Sequence, residues 1–277
     1  MQDVNMNSKG LMLRWFGGSG GDTLCTLIDM AEKDLYTNFT CKYNSRANGK
    51  TNTHQFKDPE YPTLYRFGIS WDAGIKLQKL KKDLSKLKNS NKKFLIKSFD
   101  FTKSLDNVVS DYMEIVSIGY DYSFLPFLVQ TNLTKTNTIK YYFTKKNLSK
   151  YKKDLILLNV TKKLSQDQKT KLVIWNVIKS AIDYMNDFNL DKSDIQISDM
   201  FYDQQSIKNF FADRNIKIDF NNKLYKNWLK LNQKYIPSDI FNKCLKTRSY
   251  NYQNTDMNLF ERYVLLAISG KKFKFLS

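Results

Sequence analysis

Short apolar runs alternate along this chain with amphipathic stretches. Leu11 to Phe16 (LMLRWF) is a short apolar run, interrupted by Arg14, that reads as a buried strand. Immediately after it, from Thr23 to about Leu35, Leu24, Leu27, Ile28 and Ala31 fall on one helical face. AGIKLQKLKKDLSKLKN then sets Ile75, Leu77, Leu80, Leu84 and Leu87 near helical spacing, with lysines opposite, and predicts a surface helix. KKFLIKSFDF predicts a strand around residues 94–96, YMEIVSIG another at 113–118, and DLILLNV a further one at 155–160. None of these runs alternates cleanly, as expected of strands buried on both faces. The apolar part of DYSFLPFLVQTNLTK reads as helix, with Pro126 limiting it.

The longest helix is predicted over 165–188, with Ser165, Asp167 and Gln168 marking its start. DIQISDMF alternates over 195–201 before the helix DQQSIKNFFADRN. A further amphipathic helix, NKLYKNWLKLNQKYI, stops at Pro237. A basic loop, KCLKTRSYNYQN, precedes a last helix that Asp256 is placed to cap and Gly270 to end. The alternation predicts a three-layer α/β/α fold with a mostly parallel central sheet, as a single domain over 1–277. Within it, residues 41–62 are polar, Asn- and Lys-rich and close with prolines, which predicts a long flexible loop.

Composition narrows the setting. No apolar run reaches the roughly 18 residues that cross a membrane, and the polar start MQDVNMNSKG lacks a signal peptide's apolar core. The expectation is a soluble, cytoplasmic protein. Cys25, Cys41 and Cys244, with the lone His54, form neither a disulfide framework nor a zinc signature, so free thiols and no metal are expected. The formal net charge is +18, carried by 39 lysines and only six arginines. This lysine- and asparagine-rich bias is that of an A/T-rich genome, viral or microbial. The surface should still attract polyanions non-specifically, although the lysines are scattered and form no nucleic-acid motif.

The chemistry centres on GGSGGDT, residues 17–23, set between the first strand and the first helix. Such a turn brings backbone N–H groups to a helix N-terminus, where the dipole favours an anion. Ser19 and Thr23 add hydroxyls. A tight connection without a ligand would look the same. GDT stands where a nucleotide-hydrolysing loop carries GKT, and the Asp22 carboxylate repels a triphosphate.

The turn resembles that of sulfotransferases using 3′-phosphoadenosine 5′-phosphosulfate, whose first strand leads into Pro-Lys/Arg-Ser-Gly-Thr-Thr. Ser19-Gly20 falls on the Ser-Gly pair, with Gly21 and Asp22 on the two threonines and Thr23 one place late. FLIKSFDF resembles the family's strand ending in Lys-Thr/Ser-His, as Lys97-Ser98-Phe99. IQISDMFYDQQSIKNFF followed by LYKNWLKLNQKYI is similar to the late strand, helix and Trp-Leu-x-x-Asn segment of divergent members.

The resemblance implies a P-loop-like fold and transfer of a sulfuryl group to a hydroxyl or amine of a small molecule or glycan. Gly18, Ser19, Gly20, Gly21, Asp22 and Thr23 would hold the donor, with Lys243, Lys246 and Arg248 standing in for the family's basic donor loop. Lys97 would stabilise the bridging oxygen. His54 or Asp100 would take the acceptor's proton, because Phe99 occupies the position of the usual histidine. Tyr61, Tyr65, Phe67 and Trp71 are placed to stack on a sugar or phenol. The loop lacks the family's basic residue, and IGYDYSF lacks the arginine that binds the 3′-phosphate. The alternatives are a non-catalytic anion- or nucleic-acid-binding α/β protein and a kinase-like phosphotransferase.

Overall fold

The first strand, β1 (Gly10–Trp15), is apolar at nearly every position because the protein covers both of its faces. Leu11, Leu13 and Trp15 enter one core and Met12 another, as the two-residue alternation of a strand requires. The computed structural model describes residues 10–16, 20–31, 35–37, 77–78, 80–82, 84–85, 93–98, 103–135 and 165–271. The chain gathers into two compact units, Met1–Gly119 with Leu190–Lys234 and Tyr120–Asn189 with Tyr235–Ser277.

The first unit is α/β. Besides β1 its strands are β2 (Leu35–Thr37), β3 (Lys93–Ser98), β4 (Met113–Gly119) and β5 (Ile195–Gln196), in the order β2-β3-β1-β4-β5. Every neighbouring pair is parallel, so the expected parallel sheet is present. β1, β3 and β4 carry it, and β2 and β5 are short edges. Helix α1 (Gly21–Ala31) joins Leu11, Leu13 and Trp15 in the larger core through Leu24, Cys25, Leu27 and Ile28. Helix α2 (Lys103–Val109) joins Met12 in the smaller core through Leu105 and Val109, together with Leu80 and Leu84 from helical backbone at 80–82 and 84–85. Helices therefore cover both faces of the sheet.

Arg14 ties that second face together. Its Nε donates to Ser117 Oγ at 2.6 Å, and its Nη1 reaches both carboxylate oxygens of Asp106 at 2.7 and 2.9 Å. A cation on an otherwise apolar strand is thus paired and hydrogen-bonded, which removes most of its burial cost.

The alternating stretch at 195–201 yields only two strand residues. The Asp199 carboxylate accepts from the Gln196 amide at 2.9 Å, Ile197 donates to the Gly119 carbonyl at 3.0 Å, and the chain turns into α3 (Asp199–Tyr202). Helices α4 (Gln204–Ala212), started by Asp203, and α5 (Lys223–Asn232), started by Asn222, complete the unit. They supply Ile207, Phe211, Leu224, Tyr225 and Trp228 to the larger core.

The second unit is helical among the described residues: α6 (Leu125–Lys135), α7 (Gln166–Phe188), α8 (Asp239–Thr247) and α9 (Leu259–Ile268). α6, α7 and α9 pack on one another. Pro126 is accommodated because it falls in the first turn, where no amide is needed. α7 opens as predicted, with Ser165 and Gln168 forming a capping box. The last helix starts differently from expectation, since Asn258 rather than Asp256 is its cap. The reason is Glu261, which is 1% exposed and accepts from the Asn258 amide at 2.8 Å and from the Ser238 amide, at the start of α8, at 2.6 Å. One buried carboxylate thus satisfies the N-terminal amides of two helices. The strand expected at 155–160 and the loop at 41–62 lie outside the described residues.

Glu261→Ala should lower the stability of the chain by on the order of 2 kcal/mol, because two part-buried amides lose a charged acceptor. Glu261→Gln should lose only part of this. Urea unfolding checks both, and an alanine variant within 0.5 kcal/mol of the parent would show that water replaces the carboxylate.

Candidate anion-binding site

In the first unit the chain leaves β1 towards the face carrying α1, and leaves its neighbour β3 towards the opposite face carrying α2. Where the connections of adjacent parallel strands diverge in this way, a crevice opens beyond their carboxyl ends, and it is there that α/β proteins bind ligands. The glycine turn begins at that point. Gly20 has φ +78°, in the left-handed region, and α1 starts at Gly21. The amides of Thr23 and Leu24 both return to the Gly20 carbonyl, at 2.9 and 3.2 Å. The amides of Gly20 and Gly21 precede this first closure and have no intrahelical acceptor.

Two tryptophans explain the glycines. A Cβ on Gly21 would lie 2.1 Å from Cδ2 of Trp15, and one on Gly20 would lie 2.7 Å from Cζ2 of Trp228 and 3.2 Å from Sδ of Met200. Both indoles are fully buried, so neither can move aside. Trp228 also stacks on Tyr225, with centroids 6.0 Å apart, and tilts against Phe201 at 5.1 Å. The Tyr225 hydroxyl donates to the Met200 carbonyl, and burial pushes its pKa up to about 12, partly offset by a hydrogen bond with Gln204, so the phenol stays protonated. The Asn232 amide side chain donates to the Trp228 carbonyl at 2.7 Å, which gives the Trp-Leu-x-x-Asn stretch a helical i, i+4 bond. The indole Nε1 of Trp228 is buried and has no acceptor among the described residues.

The residues singled out from sequence distribute unevenly. Gly20, Gly21, Asp22 and Thr23 form the turn and the first residues of α1; Asp22 is half-buried and Thr23 fully buried. Lys97 and Ser98 end β3, in register with Leu13 and Arg14 of β1, so the backbone brings the Lys-Ser match beside the strand that leads to the turn. Gly18, Ser19, His54, Phe99 and Asp100 lie outside the described residues, as do Tyr61, Tyr65, Phe67 and Trp71.

Lys243 and Lys246 belong to the second unit, on α8, and Arg248 caps that helix in the left-handed conformation. The expected basic loop is therefore helical over its first half. Ser238, directly after Pro237, accepts from the Phe241 amide at 3.2 Å and starts a helix that the run of lysines obscured. Among the described residues no group of three or more His, Cys, Asp or Glu side chains is arranged to hold a metal, and no helix is long and apolar enough to cross a membrane.

Sequence reasoning missed Arg14, Trp15 and Met200 as parts of this region. Arg14 sits at the carboxyl end of β1, but Asp106 already matches its charge, so it braces the scaffold. No family model, curated protein or solved structure matches the chain.

Helix propensity alone would make Gly21→Ala stabilising by about 1 kcal/mol. Overlap with Trp15 should reverse the sign and cost ~2 kcal/mol or more without any ligand present. Urea unfolding of the ligand-free variant reads this directly, and a gain in stability would mean that the indole does not constrain the turn.

Proposed function

We propose that this chain is a divergent sulfotransferase with a P-loop-like fold, using 3′-phosphoadenosine 5′-phosphosulfate and a hydroxyl or amine acceptor on a small molecule or glycan. The observation that carries the reading is the glycine turn and helix start at the divergence of β1 and β3, with Lys97 near the end of the adjacent strand. Cys25 and Cys244 take part in no disulfide, which is in keeping with a reducing, cytoplasmic setting.

The residues suit a sulfate or phosphate ester better than a metal-bound triphosphate. Gly20 and Gly21 amides at the start of α1 provide neutral donors and the positive end of a helix dipole. Asp22 stands in the same turn and opposes a higher negative charge, which disfavours the kinase-like alternative. The donor supplies an activated sulfuryl group whose in-line displacement leaves negative charge on a phosphate oxygen. In this reading the turn amides, with Ser19 and Thr23, orient that phosphate, and the Lys97 ammonium stabilises the oxygen on which the charge develops. His54 or Asp100 accepts the proton of the attacking hydroxyl or amine.

Isothermal titration with 3′-phosphoadenosine 5′-phosphate should show saturable binding that Lys97→Ala weakens about tenfold or more, an ionic hydrogen bond being worth ~1.5–3 kcal/mol. A folded protein that does not bind at millimolar concentration contradicts the proposal. Binding only to nucleic acid, steeply salt-dependent and indifferent to Lys97→Ala, would favour the non-catalytic polyanion reading, which the net charge of +18 supports.

A further inference from the structure

Trp228 presents a contradiction that packing alone does not resolve. Its ring is 1% exposed, and it lies in a core that accounts well for its apolar surface. Its Nε1–H, however, is cut off from water and has no acceptor among the described residues. A buried donor left unsatisfied costs its full desolvation, and buried tryptophans ordinarily find a partner for this group. An apolar aromatic residue would fill the same space without that cost.

The position of the ring indicates where an acceptor would come from. Its point of closest approach to the glycine turn is Cζ2, at 2.7 Å from the place of a Gly20 side chain. Cζ2 is bonded to the carbon that carries Nε1, and in an indole the Cζ2–H and Nε1–H bonds lie on one edge and point in nearly the same direction. The edge of Trp228 that carries the N–H therefore borders the Gly20 position, with Cη2 the next nearest ring atom at 3.4 Å. The neighbouring donors there are the Gly20 and Gly21 amides, which lack intrahelical acceptors. The three donors belong to two elements, the start of α1 and the middle of α5, that meet where the Trp228 ring borders Gly20.

We infer that the Trp228 indole N–H is a donor to the anion held at this turn, taking one oxygen of a sulfate or phosphate group. The inference rests on the reading of the turn as an anion site, and it adds a residue distant in sequence that positions the anion. A neutral donor suits this site, because it orients an oxyanion without adding a cation that Asp22 would attract. Because Nε1 is covered in the free protein, binding rearranges the turn against the ring and changes the fluorescence of this indole. Met200, whose sulfur also borders the Gly20 position, takes part in that rearrangement through its contact with the turn.

The test uses the full chain with inorganic sulfate and, separately, 3′-phosphoadenosine 5′-phosphate, followed by tryptophan fluorescence and calorimetry. Two variants remove the donor: Trp228→Phe, and replacement of Trp228 by 3-benzothienylalanine, which keeps the ring's shape but puts sulfur in place of the N–H. The second keeps the test valid should the phenylalanine variant fold poorly. The parent should bind both ligands saturably with a fluorescence change, and the benzothienyl variant should bind each about tenfold more weakly while unfolding at no lower urea concentration. Equal affinity of parent and benzothienyl variant, within twofold, overturns the inference while leaving the anion site intact. Failure of the parent to bind either ligand overturns the anion site, and the inference with it.

Discussion

Two buried indoles set the backbone after β1. Trp15 fills the space a side chain at Gly21 would need, and Trp228 fills that at Gly20. The turn must therefore be made of bare backbone, and bare backbone at a helix start exposes amide dipoles. A requirement of packing thus produces a feature with binding chemistry. The rest of the first unit serves to hold this point: β1 lies between β3 and β4, alternate residues of β1 enter two cores, and the helices that follow β1 and β3 lie on opposite faces. Movement of any of these layers would displace the turn.

Electrostatics around the turn follow the same economy. Although the chain carries 45 lysines and arginines, the one arginine on β1 is already paired with Asp106, and the turn itself contains an acid. Long-range attraction from the lysine-rich surface can raise the local concentration of anions without selecting among them. In the proposed reading, selection comes from directed neutral donors at the turn, the indole N–H among them.

The sequence made the central strands legible because parallel strands buried on both faces leave dense apolar runs without clean alternation, as in LMLRW and MEIVSIG with one charge each. The start of α7 was legible because a capping box is a local, four-residue signal. Features that depend on distant partners were not legible. Asn258 caps α9 because Glu261 also satisfies α8, a relation that no single stretch displays. The helix at 239–247 was hidden because its lysines resemble those of a solvated loop, and its one fully buried side chain, Phe241, gives a weak pattern. Within the site, the glycines announced a turn, but that Trp228, over 200 residues later, shapes it follows only from the fold.

Whether the turn after β1 receives an anion decides between a binding site and a packing device. Nitrogen–proton correlation spectra of the protein, recorded during titration with 3′-phosphoadenosine 5′-phosphate and again with inorganic sulfate, address it directly. The amide signals of Gly20 and Gly21, together with the indole N–H of Trp228, should move downfield and saturate on one common binding curve. If those three signals stay fixed while amides beside surface lysines drift without saturation, the turn is a packing device alone and the anions meet only the charged surface.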